Sequence, residues 1–286
     1  ISCGTALRAL YEQGIVPDMH VELESDYNTY AVQSLMEDKN YLKSVKIVGA
    51  AQLNPLLFDL FGEKRMFFKK DSGVAEVFAS DVDMIENAAP SCTNAALALA
   101  LHFQFDEIYL FGLDYGFADK EQHHAGGTLY YKDYAPQGLK NSVDYKDNEL
   151  FEVESSSGGK VFTTPFLYAS KRRVDNMLAT FSGESLFNCS DGVKLDHASW
   201  ADKQALEKHL SASDVTKKEA ALDVFFKDSN GSYSTESVKG SIDSFTNWLT
   251  ATIDSIKFMV EKDAMDLLHL NLLGTEINRL LCQSRP

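Results

Sequence analysis

Apolar positions along the first two-thirds of the chain switch repeatedly between a helical and a strand period. The stretch "GTALRALYEQG" (4–14) spaces Ala6, Leu7, Leu10 and Tyr11 on one helical face and stops at Gly14. "DMHVELE" (18–24) then alternates as a strand does. "YAVQSLMED" predicts a helix, "SVKIVGA" (44–50) a strand, "NPLLFDLFG" a helix and "KRMFFKK" (64–70) a strand. "SCTNAALALALHFQF" (91–105) predicts a helix that is apolar on nearly every side, as suits one sandwiched between two layers. "DEIYLFGLD" (106–114) predicts a buried strand. "GKVFTT" (159–164), the helix "FLYASKRRVDNMLATF" (166–181) and "SLFNCS" (185–190) continue the alternation.

Strands alternating with helices imply right-handed crossovers and a mainly parallel sheet. The expected class is therefore α/β, with a Rossmann-like sheet carrying helices on both faces. Ile1-Ser2 reads as the end of a strand that begins upstream, so a first strand and a glycine-rich loop are expected before residue 1. Beyond about residue 198 every segment carries a helical period and nothing reads clearly as a strand. Ser199 and Thr235 stand where N-caps are wanted, and "KDSNGSYST" (227–235) reads as a polar loop. The organisation expected is a Rossmann-like domain over 1–198 and an all-helical C-terminal domain over 199–286.

Composition narrows the partners. The 286 residues are 44% hydrophobic and 24% charged, and no apolar run approaches the ~20 residues that span a bilayer. A net charge of −15 argues against nucleic acid or an anionic membrane as a general partner. It leaves room for a small anion held in a local pocket. Cys3, Cys92, Cys189 and Cys282 are scattered, without a CxxC pair or zinc-like spacing, and read as reduced thiols in a cytoplasmic protein.

In open α/β sheets the ligand crevice lies beyond the carboxyl ends of the strands. That rule collects Ser2, Gly4 and Thr5 at the first helix start, and Glu22 and Glu24 after the second strand. Lys69, Lys70 and Asp71 lead from a later strand to Ser72-Gly73. Ser91, Thr93 and Asn94 surround the start of the apolar helix, and Gly112 and Asp114 follow the next strand. Thr163-Thr164-Pro165 and the Asn188, Ser190 segment "NCSDG" lie near the last two strands. Hydroxyls, amides and a few carboxylates on one rim suit a nucleotide or a sugar.

Plainer roles stand beside these. Ser91 and Thr93 also serve as N-caps, and Asp114 as a loop cap. His123 and His124 are a metal pair, a general base or leaving-group acid, or ordinary loop residues. Tyr130 and Tyr131 either hydrogen-bond a phosphate or simply pack. Asp81-Val82-Asp83 matches a DxD metal motif, yet three residues arise readily by chance. No Walker A motif, GxSxG elbow or complete GxGxxG occurs.

Three blocks carry a resemblance. "CGTALRALYEQGIVPDMHVELE", "PSCTNAALALALHFQFDEIYLFGLDYGF…HHAGGTLYY" and "VFTTPFLYASKRRVDNMLATF…LFNCSDGVKLDHA" resemble, in order over about 1–198, the bacterial motility-associated factor (Maf) flagellin glycosyltransferases. The resemblance implies a sialyltransferase-like domain using a CMP-activated nonulosonic acid, pseudaminic or legionaminic in type. The implied acceptor is a Ser or Thr hydroxyl of flagellin, modified in the cytoplasm. Gly4, Thr5, Glu24, Ser91, Thr93, Asn94, Gly112 and Asp114 would line the nucleotide site, with Thr163-Thr164 and Asn188 to Ser190 near it. Asp114 and one of His123 or His124 would face the donor, with Tyr130 near its phosphate or carboxylate. The family's glycine-rich G-x-G-P-S segment would precede residue 1, and Glu24 stands where relatives often carry Asp. A CMP donor bears one phosphate and needs a divalent clamp less than a diphosphate donor does, so no metal and no cofactor are expected. Two alternatives stay open: a pterin pyrophosphokinase-like transferase using ATP and Mg²⁺, and a non-catalytic flagellin-binding module.

Overall fold

The computed structural model describes residues 1–79, 84–119, 149–183, 185–210, 225–226 and 235–261. His123, His124, Tyr130, Tyr131, Asp81 and Asp83 fall outside the described residues. The chain divides into two compact units: Ile1–Lys69 with Ile85–Ser229, and Lys70–Met84 with Asn230–Pro286.

The first unit follows the predicted alternation. It runs β1 (Ser2–Cys3), α1 (Ala6–Glu12), β2 (Met19–Glu22), α2 (Tyr27–Ser34), α3 (Lys39–Ser44), β3 (Lys46–Ala50), α4 (Pro55–Phe58) and β4 (Lys64–Lys69). Short polar side chains start these helices: Asp26, Asp38 and Asn54 accept the N–H of Asn28, Asn40 and Leu56 at 2.9, 2.8 and 3.0 Å. After α5 (Gly73–Phe78) and β5 (Met84–Ile85) come α6 (Cys92–His102), β6 (Glu107–Leu110), β7 (Phe151–Glu154), β8 (Lys160–Thr163), α7 (Pro165–Leu178), β9 (Ser185–Asn188), β10 (Ser199–Trp200) and α8 (Lys203–Leu210).

The parallel strands form two sheets, ordered β1-β2-β3-β4-β5 and β10-β9-β6. β2 is buried along its whole length, because both faces are covered. On one face Met19, Val21, Val48 and Ala50 meet α6 and α7 through Leu97, Leu99, Val174 and Met177. On the other, Leu7, Ile47, Leu42, Leu57 and Phe61 pack the shorter helices. The expected Rossmann-like architecture with helices on both faces is what forms.

Three local expectations change. β8 does not join the parallel sheet; it pairs antiparallel with β7, Phe151 facing Thr163 and Glu154 facing Lys160. Its period of 2 is the same in either setting, so only the partner tells them apart. Ser199–Trp200 is a strand parallel to β9, too short for any alternation to register. The cap of α8 is accordingly Asp202, whose carboxylate accepts Ala205 N–H at 2.8 Å, and not Ser199.

In the second unit, α9 (Thr235–Glu261) packs on α5. Ile242, Phe245, Leu249 and Ile253 recur at helical spacing along it.

Candidate functional site

The N-terminus of α6 carries a hydroxyl network. Ser91 caps the helix, its Oγ accepting Asn94 N–H at 3.3 Å and lying 2.7 Å from Thr93 Oγ1. The same hydroxyl donates to Asn94 Oδ1. Tyr115 donates its phenol to Thr93 Oγ1 at 3.0 Å, reaching across from the loop after β6. Asn94 is fully buried and gives its amide N–H to Ser170 O at 3.2 Å, which ties the rim to α7. Burial pushes the Tyr115 phenol well above its ordinary range, so it stays a neutral donor. Thr163 donates to Tyr115 O at 2.7 Å from a buried position; its hydroxyl holds this turn in place.

The loop after β6 is held by backbone contacts. Gly112 takes φ +69°, a left-handed conformation that glycine adopts without strain. Its N–H donates to Ser190 Oγ at 2.6 Å. Ser190 N–H in turn donates to Asn188 Oδ1 at 3.1 Å, and Asn188 Nδ2 to Ser156 Oγ at 2.8 Å. Asp114 accepts Val193 N–H on its carbonyl at 2.7 Å. A Cβ on Gly192 would lie 2.2 Å from Asp114 Cα, so only glycine lets the two loops approach this closely. The Asp114 carboxyl remains solvent-accessible at the rim, while partial desolvation and then the Asp191 charge raise its pKa, against a hydrogen bond from Ser190.

A third polar string crosses β1 and β2. Ser2 Oγ lies 2.9 Å from His20 Nδ1, and His20 Nε2 lies 3.1 Å from Glu22 Oε1. Glu22 Oε2 accepts the Cys92 thiol at 3.4 Å, so the string ends in the first turn of α6. His20 and Glu22 are almost wholly buried. A Cβ on Gly4 would sit 3.8 Å from Cys92 Cβ, which places Gly4 beside the same helix start. Burial, then the Glu22 charge, pushes the Cys3 thiol up to about 12. Neither Cys3 nor Cys92, also raised by burial, is arranged as a thiolate nucleophile.

The structure therefore brings Gly4, Ser91, Thr93, Asn94 and Thr163 together around the α6 N-terminus, and Gly112, Asp114, Asn188 and Ser190 around the adjoining loop. Thr5 is exposed before α1 and makes no side-chain cap. Glu24 reaches solvent beyond β2, its carboxyl raised by desolvation and then by Glu22, with Lys69 pulling the other way. Sequence reasoning passed over Tyr115, His20, Cys92 and Ser156. The signal for Tyr115 was its place next to Asp114; for His20 it was a polar residue inside a strand buried on both faces. Among the described residues no group of three His, Cys, Asp or Glu side chains is placed to hold a metal ion. What the rim offers is neutral hydroxyl and amide donors and a helix start for an anion, with a carboxyl of raised pKa beside them.

Residues 1–120 match the family described as 6-hydroxymethylpterin diphosphokinase MptE-like. Among solved structures, a Maf glycosyltransferase from Magnetospirillum magneticum AMB-1 superposes with a TM-score of 0.61 at 22% identity. The alignment covers 78% of this chain and 32% of that one, so the chain spans about a third of the solved protein's length. At that identity the likeness is one of fold. A search of curated proteins returns no match.

Proposed function

We propose that this chain, which shares its fold with a Maf glycosyltransferase, is the nucleotide-binding core of an enzyme that transfers a nonulosonic acid. The donor would be CMP-activated and the sugar pseudaminic or legionaminic in type. The acceptor would be a Ser or Thr hydroxyl of flagellin in the cytoplasm. The observation that carries this reading is the rim where the α6 hydroxyl network meets the Asp114 loop. In such a transfer the bond from the anomeric carbon to the CMP phosphate breaks and one to the acceptor oxygen forms. The acceptor's proton passes to a base, and the departing phosphate gains charge.

Each requirement has a counterpart here. Ser91 and Thr93 stand at a helix start, where hydroxyls and N–H groups stabilise a growing anion without a cation. Asp114 is the rim carboxyl whose raised pKa suits proton acceptance. No described helix is long and apolar enough to cross a membrane, which is compatible with a cytoplasmic reaction. A second reading, transfer of diphosphate from ATP to a pterin alcohol, is favoured by the family match over residues 1–120. There the same rim would cradle a polyphosphate with Mg²⁺.

A thermal-shift series with CMP, CDP, UDP, GDP and ATP, each with and without Mg²⁺, separates the two. Stabilisation by CMP regardless of Mg²⁺ is expected. Stabilisation by ATP only with Mg²⁺ transfers the assignment to the diphosphokinase, and silence across the series removes both.

A further inference from the structure

α9 is 27 residues long, which at 1.5 Å per residue is about 40 Å of helix. On one side Thr252 is buried and Val238, Trp248 and Ile256 are half-buried. Beside that covered side, Ile242, Phe245, Leu249 and Ile253 make a continuous apolar row, 39–47% exposed. Single exposed apolar residues are ordinary, but four large ones in a row on one helix form a surface that another molecule can cover. Charges border the row in an antisymmetric order. Lys239 precedes Ile242 by three residues and Lys257 follows Ile253 by four, so both flank the same edge. Glu236 and Asp254 are five helical turns apart and therefore lie together just beyond that edge. Along the helix the sequence of charges is acid, base, apolar row, acid, base, and all four charged residues are exposed.

We propose that this row is a self-association surface, through which two copies of the chain pair α9 against α9, antiparallel about a twofold axis near Asn247. A twofold contact needs a surface complementary to itself, and this one is. Reversed end for end, the apolar row falls back on itself, Phe245 against Leu249 and Ile242 against Ile253. With the axis between Thr246 and Asn247, Glu236 of each copy faces Lys257 of the other, and Lys239 faces Asp254. Asp243 falls opposite Thr250, so no two like charges meet. Parallel pairing would instead set every charge against its own kind. Within its own helix Lys257 touches Asp254 at 3.9 Å with both side chains 68% exposed, a loose contact that leaves both free to turn toward a second helix. Exposed ion pairs add little affinity, so the apolar row supplies the attraction and the charges choose the direction. Four large apolar side chains per copy make a small interface, for which a dissociation constant of about 1–100 µM is expected.

Sedimentation equilibrium on the intact protein over roughly 1–300 µM, without nucleotide, tests this. A dimer should form across that range. Leu249→Glu changes an exposed position, so the helix content seen by circular dichroism should hold while dimerisation weakens at least about 10-fold. Lys239→Glu and Asp254→Lys should each weaken it about 3- to 10-fold, because like charges then face each other. Mixing those two variants in equal amounts should restore the dimer, since each altered charge meets its opposite on the other copy. A monomer throughout the range, a dimer indifferent to Leu249→Glu, or a mixture no tighter than either single variant would overturn the proposal.

Discussion

Desolvation raises the pKa of two carboxyls in the first unit, and each is answered by different neighbours. Asp175, on α7, is buried against Lys171 Nζ at 2.7 Å, and its other oxygen accepts Asp196 N–H at 3.0 Å. Lys171 also reaches Asp196 at 3.2 Å, and the two carboxylates hold its pKa above the ordinary lysine value despite desolvation. Asp114 instead feels the charge of a second carboxylate, Asp191, and is held in place by its own backbone and by Gly192. A compensated buried charge welds the loop before Ala198 onto α7. At Asp175 the Lys171 charge and the Asp196 N–H oppose the rise that burial causes, whereas at Asp114 the Asp191 charge adds to it and a hydrogen bond from Ser190 opposes it.

The largest effect should come from breaking the compensated pair. Lys171→Met strands Asp175 and should cost about 3–5 kcal/mol of unfolding free energy in urea at neutral pH. A cost under about 1 kcal/mol would remove the contrast between the two carboxylates. Gly192→Ala comes next: its methyl has no space against Asp114, and overpacking of this kind costs about 1–3 kcal/mol. Its nucleotide-dependent thermal shift should shrink by more than the stability loss accounts for.

Tyr115→Phe removes one donor to Thr93 and should cost about 1 kcal/mol while loosening the α6 rim, read as weaker CMP binding. Asp114→Asn should change stability least and transfer most. Because the folded-state pKa of Asp114 is raised, its favourable contribution is present at low pH and lost as pH rises through the folded value. The stability of Asp114→Asn relative to the parent should therefore increase with pH across the carboxylate range. Lys171 is also raised, so its contribution holds below the ordinary lysine range and fades only in alkali as pH passes its folded value. A flat pH difference for Asp114→Asn would show that the rim carboxyl is not perturbed.

Much of the fold was legible along the chain because each element announces itself locally. The alternation of β2 and β3, the all-apolar α6 and the cap at Ser91 are properties of a few neighbouring residues. The crevice rule likewise drew Gly4, Ser91, Gly112, Asp114 and Ser190 into one candidate set, since strand ends in a parallel sheet share one rim. The pairing of β8 with β7 and the two-residue β10 were not legible, because strand partners are chosen by contacts distant in sequence; with Ser199 taken up in β10, the cap falls to the neighbouring Asp202.

By itself, then, the sequence determined an α/β alternation, its crossovers and a polar rim of hydroxyls, amides and carboxylates, all consequences of period and local chemistry. Only the tertiary structure decided which rim residues touch. Tyr115 reaches Thr93 from 22 residues away, and Glu22 meets Cys92 across 70. It also decided that Asp114 feels the charge of Asp191 while Asp175 lies against a lysine. Desolvation and the sign of the nearest charge are set by packing in three dimensions, and a linear pattern of residue types carries neither.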